Sequence, residues 1–218
     1  MKKKLVIFSV SILIGIILVV GYVKWQAYAQ APYVWIREGN TYTNACYGLQ
    51  ITRTEGWLRY QDDESLGSRY FSSRMFHNPA LLLFPKRNLI EFRKIGEDLK
   101  PEASVLISPV DDLKGKFYGR SPLSYARFSL GTVIASQSSL KKGDVELTEL
   151  NGEPSARSRI SINVLGAGEV ESECYFFVNN GMGFSLGYSS TPSKFNRYRS
   201  EAVKIVQSFR FIPKTAPD

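Results

Sequence analysis

From Ala156 to Val164 the even positions are Ala, Ser, Ile, Ile and Val, while the odd ones are Arg157, Arg159, Ser161 and Asn163. A strand points successive side chains to opposite faces, so this two-residue period describes a sheet with one buried face. Leu165 to Gly168 reads as a turn, and from Ser172 to Val178 the residues Cys174, Phe176 and Val178 again share a face. Tyr175 and Phe177 make the other face of that strand partly apolar. Asn180-Gly181 is a hairpin signal, because both residues tolerate the positive φ that a tight two-residue turn demands. Phe184, Leu186 and Tyr188 then alternate with Gly183, Ser185, Gly187 and Ser189. Residues 144–190 therefore read as an antiparallel meander, and whatever else the chain does must be built around it.

Helices are expected at two places. Ser121-Pro122 and Thr191-Pro192 each set a hydroxyl residue before a proline, the pattern of an N-cap followed by the first helical position. Leu123, Tyr125, Ala126, Leu130, Val133 and Ile134 follow the first at helical spacing, with Gly131 weakening the run. After the second, Phe195, Tyr198, Ala202, Ile205, Val206 and Phe209 form an apolar stripe suited to packing on the sheet, with Lys194, Arg197, Glu201 and Lys204 outward. Further strands are expected at Cys46–Arg53, Leu89–Ile95, Ala103–Ser108 and Phe209–Ile212, with a turn at Glu55-Gly56-Trp57 and a short apolar run at Ala80–Phe84. The fold class is α+β, an antiparallel sheet covered by helices.

The amino-terminal stretch is of another kind. Leu5 to Val23 is 19 residues without a charge, rich in Ile, Leu and Val. As a helix it extends about 28 Å, close to the thickness of a bilayer's hydrocarbon core. Lys2, Lys3 and Lys4 favour a cytoplasmic start, which leaves the remainder of the chain outside. Tyr22, Trp25 and Tyr28 stand where interfacial aromatics belong. The alternative is a cleaved signal peptide with Ala27-Tyr28-Ala29 as the cleavage site, although the hydrophobic run exceeds a usual signal-peptide core. The expected layout is a basic tip and transmembrane anchor at 1–24, a juxtamembrane linker at 25–43, one extracytoplasmic domain at 44–212 and a polar tail at 213–218. The location is a single-pass cytoplasmic-membrane protein with its domain outside, or a secreted or periplasmic one if cleaved. Four lysines (Lys2, Lys3, Lys4, Lys24) flank the apolar run. Without them the 28 basic residues fall to 24 against 20 acidic ones, so half of the net charge of +8 belongs to targeting. The rest does not describe a nucleic-acid binder.

Three stretches carry a resemblance: Tyr47-Gly48-Leu49-Gln50-Ile51 closing on Gly56-Trp57, Leu150-Asn151-Gly152-Glu153-Pro154-Ser155-Ala156 running on to Ile162, and Glu201-Ala202-Val203-Lys204-Ile205-Val206 followed by Gln207-Ser208-Phe209-Arg210-Phe211. Over residues 44–212 the chain resembles the Mog1/PsbP-like superfamily. The resemblance implies an α/β/α sandwich and a binding or assembly role without catalysis. It transfers no catalytic residue.

Residue chemistry points the same way. One histidine, His77, precedes Asn78-Pro79 in a loop-like stretch, and no nucleophile elbow is present for it to serve. Asp62-Asp63-Glu64 and Asp111-Asp112 lack the alternating oxygens and glycine of a calcium loop and read as solvated carboxylates. No metal site and no cofactor are expected. Gly166-Ala167-Gly168 and Gly181-Met182-Gly183 read as turns rather than phosphate loops. Lys114, Lys116 and Arg120, around Gly115 and Gly119, make a small basic patch suited to an anion or lipid headgroup, or a plain soluble loop. Cys46 and Cys174 lie in the extracytoplasmic part, where they could bridge; pairing and separate thiols both stay open. The reading of function is a membrane-tethered, non-catalytic envelope domain that engages a protein partner, with Arg157, Arg159, Tyr175 and Phe177 as the contact face. A small-molecule or lipid-binding module is the alternative, and a serine-type hydrolase using His77 a third.

Overall fold

The computed structural model describes residues 34–60, 89–97, 101–108, 111–116, 119–136, 141–164 and 168–213. The apolar run Leu5–Val23, His77, Asp62 to Glu64, Ala80–Phe84 and the turn after Val164 lie outside these. Among the described residues no helix is long and apolar enough to cross a membrane.

The alternating region forms the middle of a large sheet. Its strands are β9 (Glu146–Leu150), β10 (Glu153–Val164), β11 (Gly168–Asn179) and β12 (Met182–Ser190), each antiparallel to its neighbour. Asn180 and Gly181 connect β11 to β12 with φ of 52° and 73°, the primed turn that the Asn-Gly pair favours. Asn151 and Gly152, with φ of 53° and 83°, turn β9 back onto β10 in the same way. The stretch Leu150–Ile162, read above as one running strand, therefore contains a hairpin. The sheet continues through β6 (Pro101–Ile107) and β5 (Ile90–Ile95) to β4 (Trp57–Arg59), while β7 (Asp111–Asp112) pairs with β12 and β8 (Lys141–Lys142) with β10.

Part of the expected linker is folded. β1 (Ile36–Glu38) and β2 (Thr41–Asn44) form a hairpin that joins β3 (Leu49–Thr52) and the last strand, β13 (Arg210–Phe211), in a separate four-stranded sheet. Trp35 is buried just ahead of β1, and its indole N–H donates to the Leu89 carbonyl at 2.8 Å. The folded domain thus includes residues from 34 onward.

Both proline-led helices form. α1 (Pro122–Ser136) is capped by Ser121, whose Oγ accepts the Ser124 N–H at 3.2 Å. α2 (Pro192–Gln207) starts at Thr191 with proline in its first turn and buries Phe195, Tyr198, Ala202, Ile205 and Val206. The two helices lie on opposite faces of the large sheet. α2 and the small sheet share one core with Phe92, Val105, Ile107, Tyr175, Phe177, Phe184, Leu186 and Tyr188. α1 makes a second core with Tyr125, Ala126 and Leu130 against Ala156 and Phe176. The meander is thus covered on both faces, where alternation pointed to one, and the thicker core lies on the odd-numbered face of β11.

Candidate partner-binding surface

On the α2 side, the sheet runs out beyond the helix along β10 and β11. Register sets Arg157 opposite Tyr175 and Arg159 opposite Glu173, so two arginines on β10 face a carboxylate and a phenol on β11. α2 adds Arg199 from above, and β9 adds Glu146 from the far side of β10. Of these, Arg199, Tyr175 and Arg157 converge on Glu173. Its carboxylate accepts from Arg199 Nε at 3.0 Å and Nη2 at 3.3 Å and from the Tyr175 hydroxyl at 2.9 Å, while Arg157 Nη1 lies at 3.5 Å. Arg157 also grips Glu146 Oε1 through Nε at 2.9 Å and Nη2 at 2.5 Å. Arg159 bonds Glu171 at 2.8 Å and holds its guanidinium 4.5 Å from the centre of the Phe195 ring.

Burial divides this cluster into floor and rim. The Glu173 side chain is 7% exposed, whereas Arg199, Arg157 and Arg159 are 44%, 40% and 55% exposed. Burial alone would raise the Glu173 carboxyl, but the bonds from Arg199 and Tyr175 and the Arg157 charge outweigh it, and its pKa lies below the usual carboxylate value. Burial, with Glu173 beside it, raises the Tyr175 phenol, which stays protonated and donates. The result is an ionised, fully engaged carboxylate beneath the half-exposed guanidinium heads of Arg157 and Arg199, with that of Arg159 beside them on Glu171. Planar guanidinium groups exchange readily between internal and external carboxylates, so such a rim is chemically suited to carboxylates on a partner.

The four residues expected to form the contact face separate accordingly. Arg157 and Arg159 stand on the rim together, and Tyr175 lies under it with its hydroxyl in the network. Phe177 is wholly buried, its ring 4.9 Å from Phe209 and 6.0 Å from Phe211, so its expected place on an exposed face is corrected. The face taken as outward is the one α2 and the small sheet cover. Glu173, Glu171, Glu146 and Arg199 were not singled out from sequence. Acids at 171 and 173 on a strand antiparallel to Arg157 and Arg159 were the available signal.

Other charged pairs also tie α2 to the sheet. Glu201 on α2 accepts from Lys94 of β5 at 2.8 Å and from the Trp57 indole at 3.0 Å. Glu102 of β6 accepts from Lys194 at 2.5 Å and from the Tyr198 hydroxyl. Asp111 accepts the Tyr125 hydroxyl at 2.8 Å and Asp112 the Lys114 backbone N–H at 3.0 Å, so this acidic pair is spent on local structure. Among the described residues no three of His, Cys, Asp and Glu gather as metal ligands. The cysteines are both free: Cys46 sits exposed in the β2–β3 turn, and Cys174 packs on the opposite, α1 face of the large sheet. The sheet between them is the physical reason they do not bridge.

No family model and no curated protein matches the sequence. Solved structures do resemble the fold. Cyanobacterial PsbP from Synechocystis sp. superposes with a TM-score of 0.50 at 12% identity, over 78% of this chain and 91% of that one. LpqN, involved in cell envelope biogenesis of Mycobacterium tuberculosis, gives 0.47 at 10% identity over 83% and 90% of the two chains. The Ran-binding protein Mog1p of Saccharomyces cerevisiae gives 0.47 at 9% identity over 79% and 94%. These likenesses are of fold alone. The fold is similar to that of PsbP, as the sequence resemblance implies.

Proposed function

We propose that this chain is a membrane-tethered, extracytoplasmic accessory domain that binds a protein partner and carries out no catalysis of its own. The observation that carries this reading is the half-exposed rim of Arg157, Arg159 and Arg199 over a buried, ionised Glu173. Arginine-rich edges beside aromatic side chains are typical of protein contact surfaces. The tether is supported by Leu5–Val23 and its leading lysines. Confinement at the bilayer raises the domain's effective concentration toward membrane-associated partners. Cleavage after Ala29 would leave the same domain free on the same side.

The test is in-cell crosslinking of the full chain followed by identification of the attached protein. Replacing Arg157, Arg159 and Arg199 together by Ala should lower the crosslinked yield about tenfold or more, since each removes a charged contact. Lys94→Ala, which removes the bond to Glu201 and the contact over the Tyr198 ring, away from the arginine rim, should leave the yield unchanged. Equal yields from wild type and triple variant, with both folded by circular dichroism, would remove this surface from the proposal.

A further inference from the structure

The first residues of the folded domain form an apolar step on its surface. Val34 and Ile36 are 59% and 56% exposed, while Trp35 between them is buried. Ile36 pairs with Thr43, on the face of the small sheet that points away from the core, and Val34 shares that side by the two-residue period. Ile36 lies on β1, an edge strand bonded on one side to β2. Arg37, opposite Tyr42, turns to the other face with its guanidinium 5.8 Å from the Tyr42 ring centre, and Arg53 Nη2 donates to Asn40 Oδ1 at 3.1 Å at the β1–β2 turn. Arg210 lies over Gln50 on the outward side of the same sheet, and Glu38 is an acid on that face.

The sequence ahead of this step says what covers it. Ten residues separate Val23, the end of the apolar run, from Val34. Even fully extended they reach about 40 Å, roughly one domain diameter. Between them stand Trp25, Tyr28 and Tyr33, types that settle at the headgroup level, along with Lys24. We infer that the β1 side of the small sheet rests on the lipid surface from which the chain emerges, with Val34 and Ile36 entering the headgroup region and Arg210, on the same face, meeting lipid phosphates. This rests on the tether proposed above and adds an orientation to it: the small sheet faces the membrane.

The experiment uses the full chain with Cys46→Ser, a solvent-sensitive fluorophore on Ile36→Cys, and reconstitution into vesicles of phosphatidylcholine and phosphatidylglycerol. Leu147→Cys, on the exposed edge strand β9, serves as the comparison site. Contact with lipid shifts the emission at 36 to the blue and loses about half of it to nitroxide-labelled lipid, as expected for a side chain several ångströms into the interface, while 147 behaves as in water. Val34→Cys supplies the same readout should the label at 36 disturb β1. Water-like emission at both 34 and 36, with the chain still floating with vesicles, overturns the docking and leaves the tether standing. Shielding without quenching by lipid shows that protein covers the step and likewise overturns it. Failure of the chain to float with vesicles overturns tether and docking together.

Discussion

At the scale of single residues, Glu173 and the two cysteines give the sharpest expectations. Glu173→Gln removes the charge that Arg157, Arg199 and Tyr175 share, so those groups lose their common acceptor. Bonds to charged groups stabilise by about 1.5–3 kcal/mol, and the exposure of the arginines places this site at the lower end, about 1–2 kcal/mol by urea unfolding at pH 7. The pH dependence has a definite sign. The pKa values of Glu173 and Glu201 are depressed in the fold, the first by Arg199 and Tyr175 against the effect of burial, the second chiefly by Lys94. Their stabilisation is complete above the unfolded carboxyl value of about 4.3 and is lost as pH falls through the lower folded values. The unfolding midpoint should therefore hold from neutral pH to about pH 5 and drop below about pH 4, with a shallower drop in Glu173→Gln. Burial pushes the Cys174 thiol up to about 12, and Cys46 is exposed, so an alkylating reagent at neutral pH should modify Cys46 alone in the native chain and both in urea, as mass spectrometry would count.

At the scale of elements, the two-faced meander is the feature to test. Phe177 lies wholly within the α2-side core, so Phe177→Ala should cost about 3–5 kcal/mol by chemical denaturation, whereas a surface position would cost almost nothing. On the other face, a Cβ added at Gly183 would stand 2.6 Å from the Tyr125 ring, so Gly183→Ala should cost about 1–3 kcal/mol and displace α1. Much of this architecture was legible: alternation located β10 to β12, Asn180-Gly181 located their turn, and the two hydroxyl-proline pairs located α1 and α2. The identity of the thicker core was not. β11 carries apolar groups at 174, 176 and 178 and also at 175 and 177, and local periodicity cannot say which set meets the larger neighbour. The hairpin β1–β2 was hidden for a related reason. Its buried positions are Tyr42 and Asn44, and Asn44 is an inward residue no hydropathy pattern reveals; its Oδ1 accepts the Tyr47 N–H at 3.0 Å, closing the turn to β3. The arginine rim was half legible, because Arg157 and Arg159 show in the sequence while Arg199 arrives from a helix about 40 residues away.

At the scale of the whole molecule, the proposal of an anchored domain predicts fractionation. Full-length protein should remain with membranes after alkaline carbonate washing and be digested by protease added outside the cytoplasmic membrane, whereas a version lacking Leu5–Val23 should stay in the soluble cytosolic fraction, protected from that protease. The arrangement of the small sheet has a mechanical consequence. In a chain tethered as proposed, drag on the domain would pass to the bilayer through the segment leading into β1, a three-residue strand joined on one side to β2. Force applied at its leading end opens the β1–β2 pairs in succession, as a zipper opens, instead of shearing them together. Once the Trp35 bond to Leu89 gives way, β1 lengthens the leash while β2, β3 and β13 stay joined, so a tug yields slack before it can reach the arginine rim.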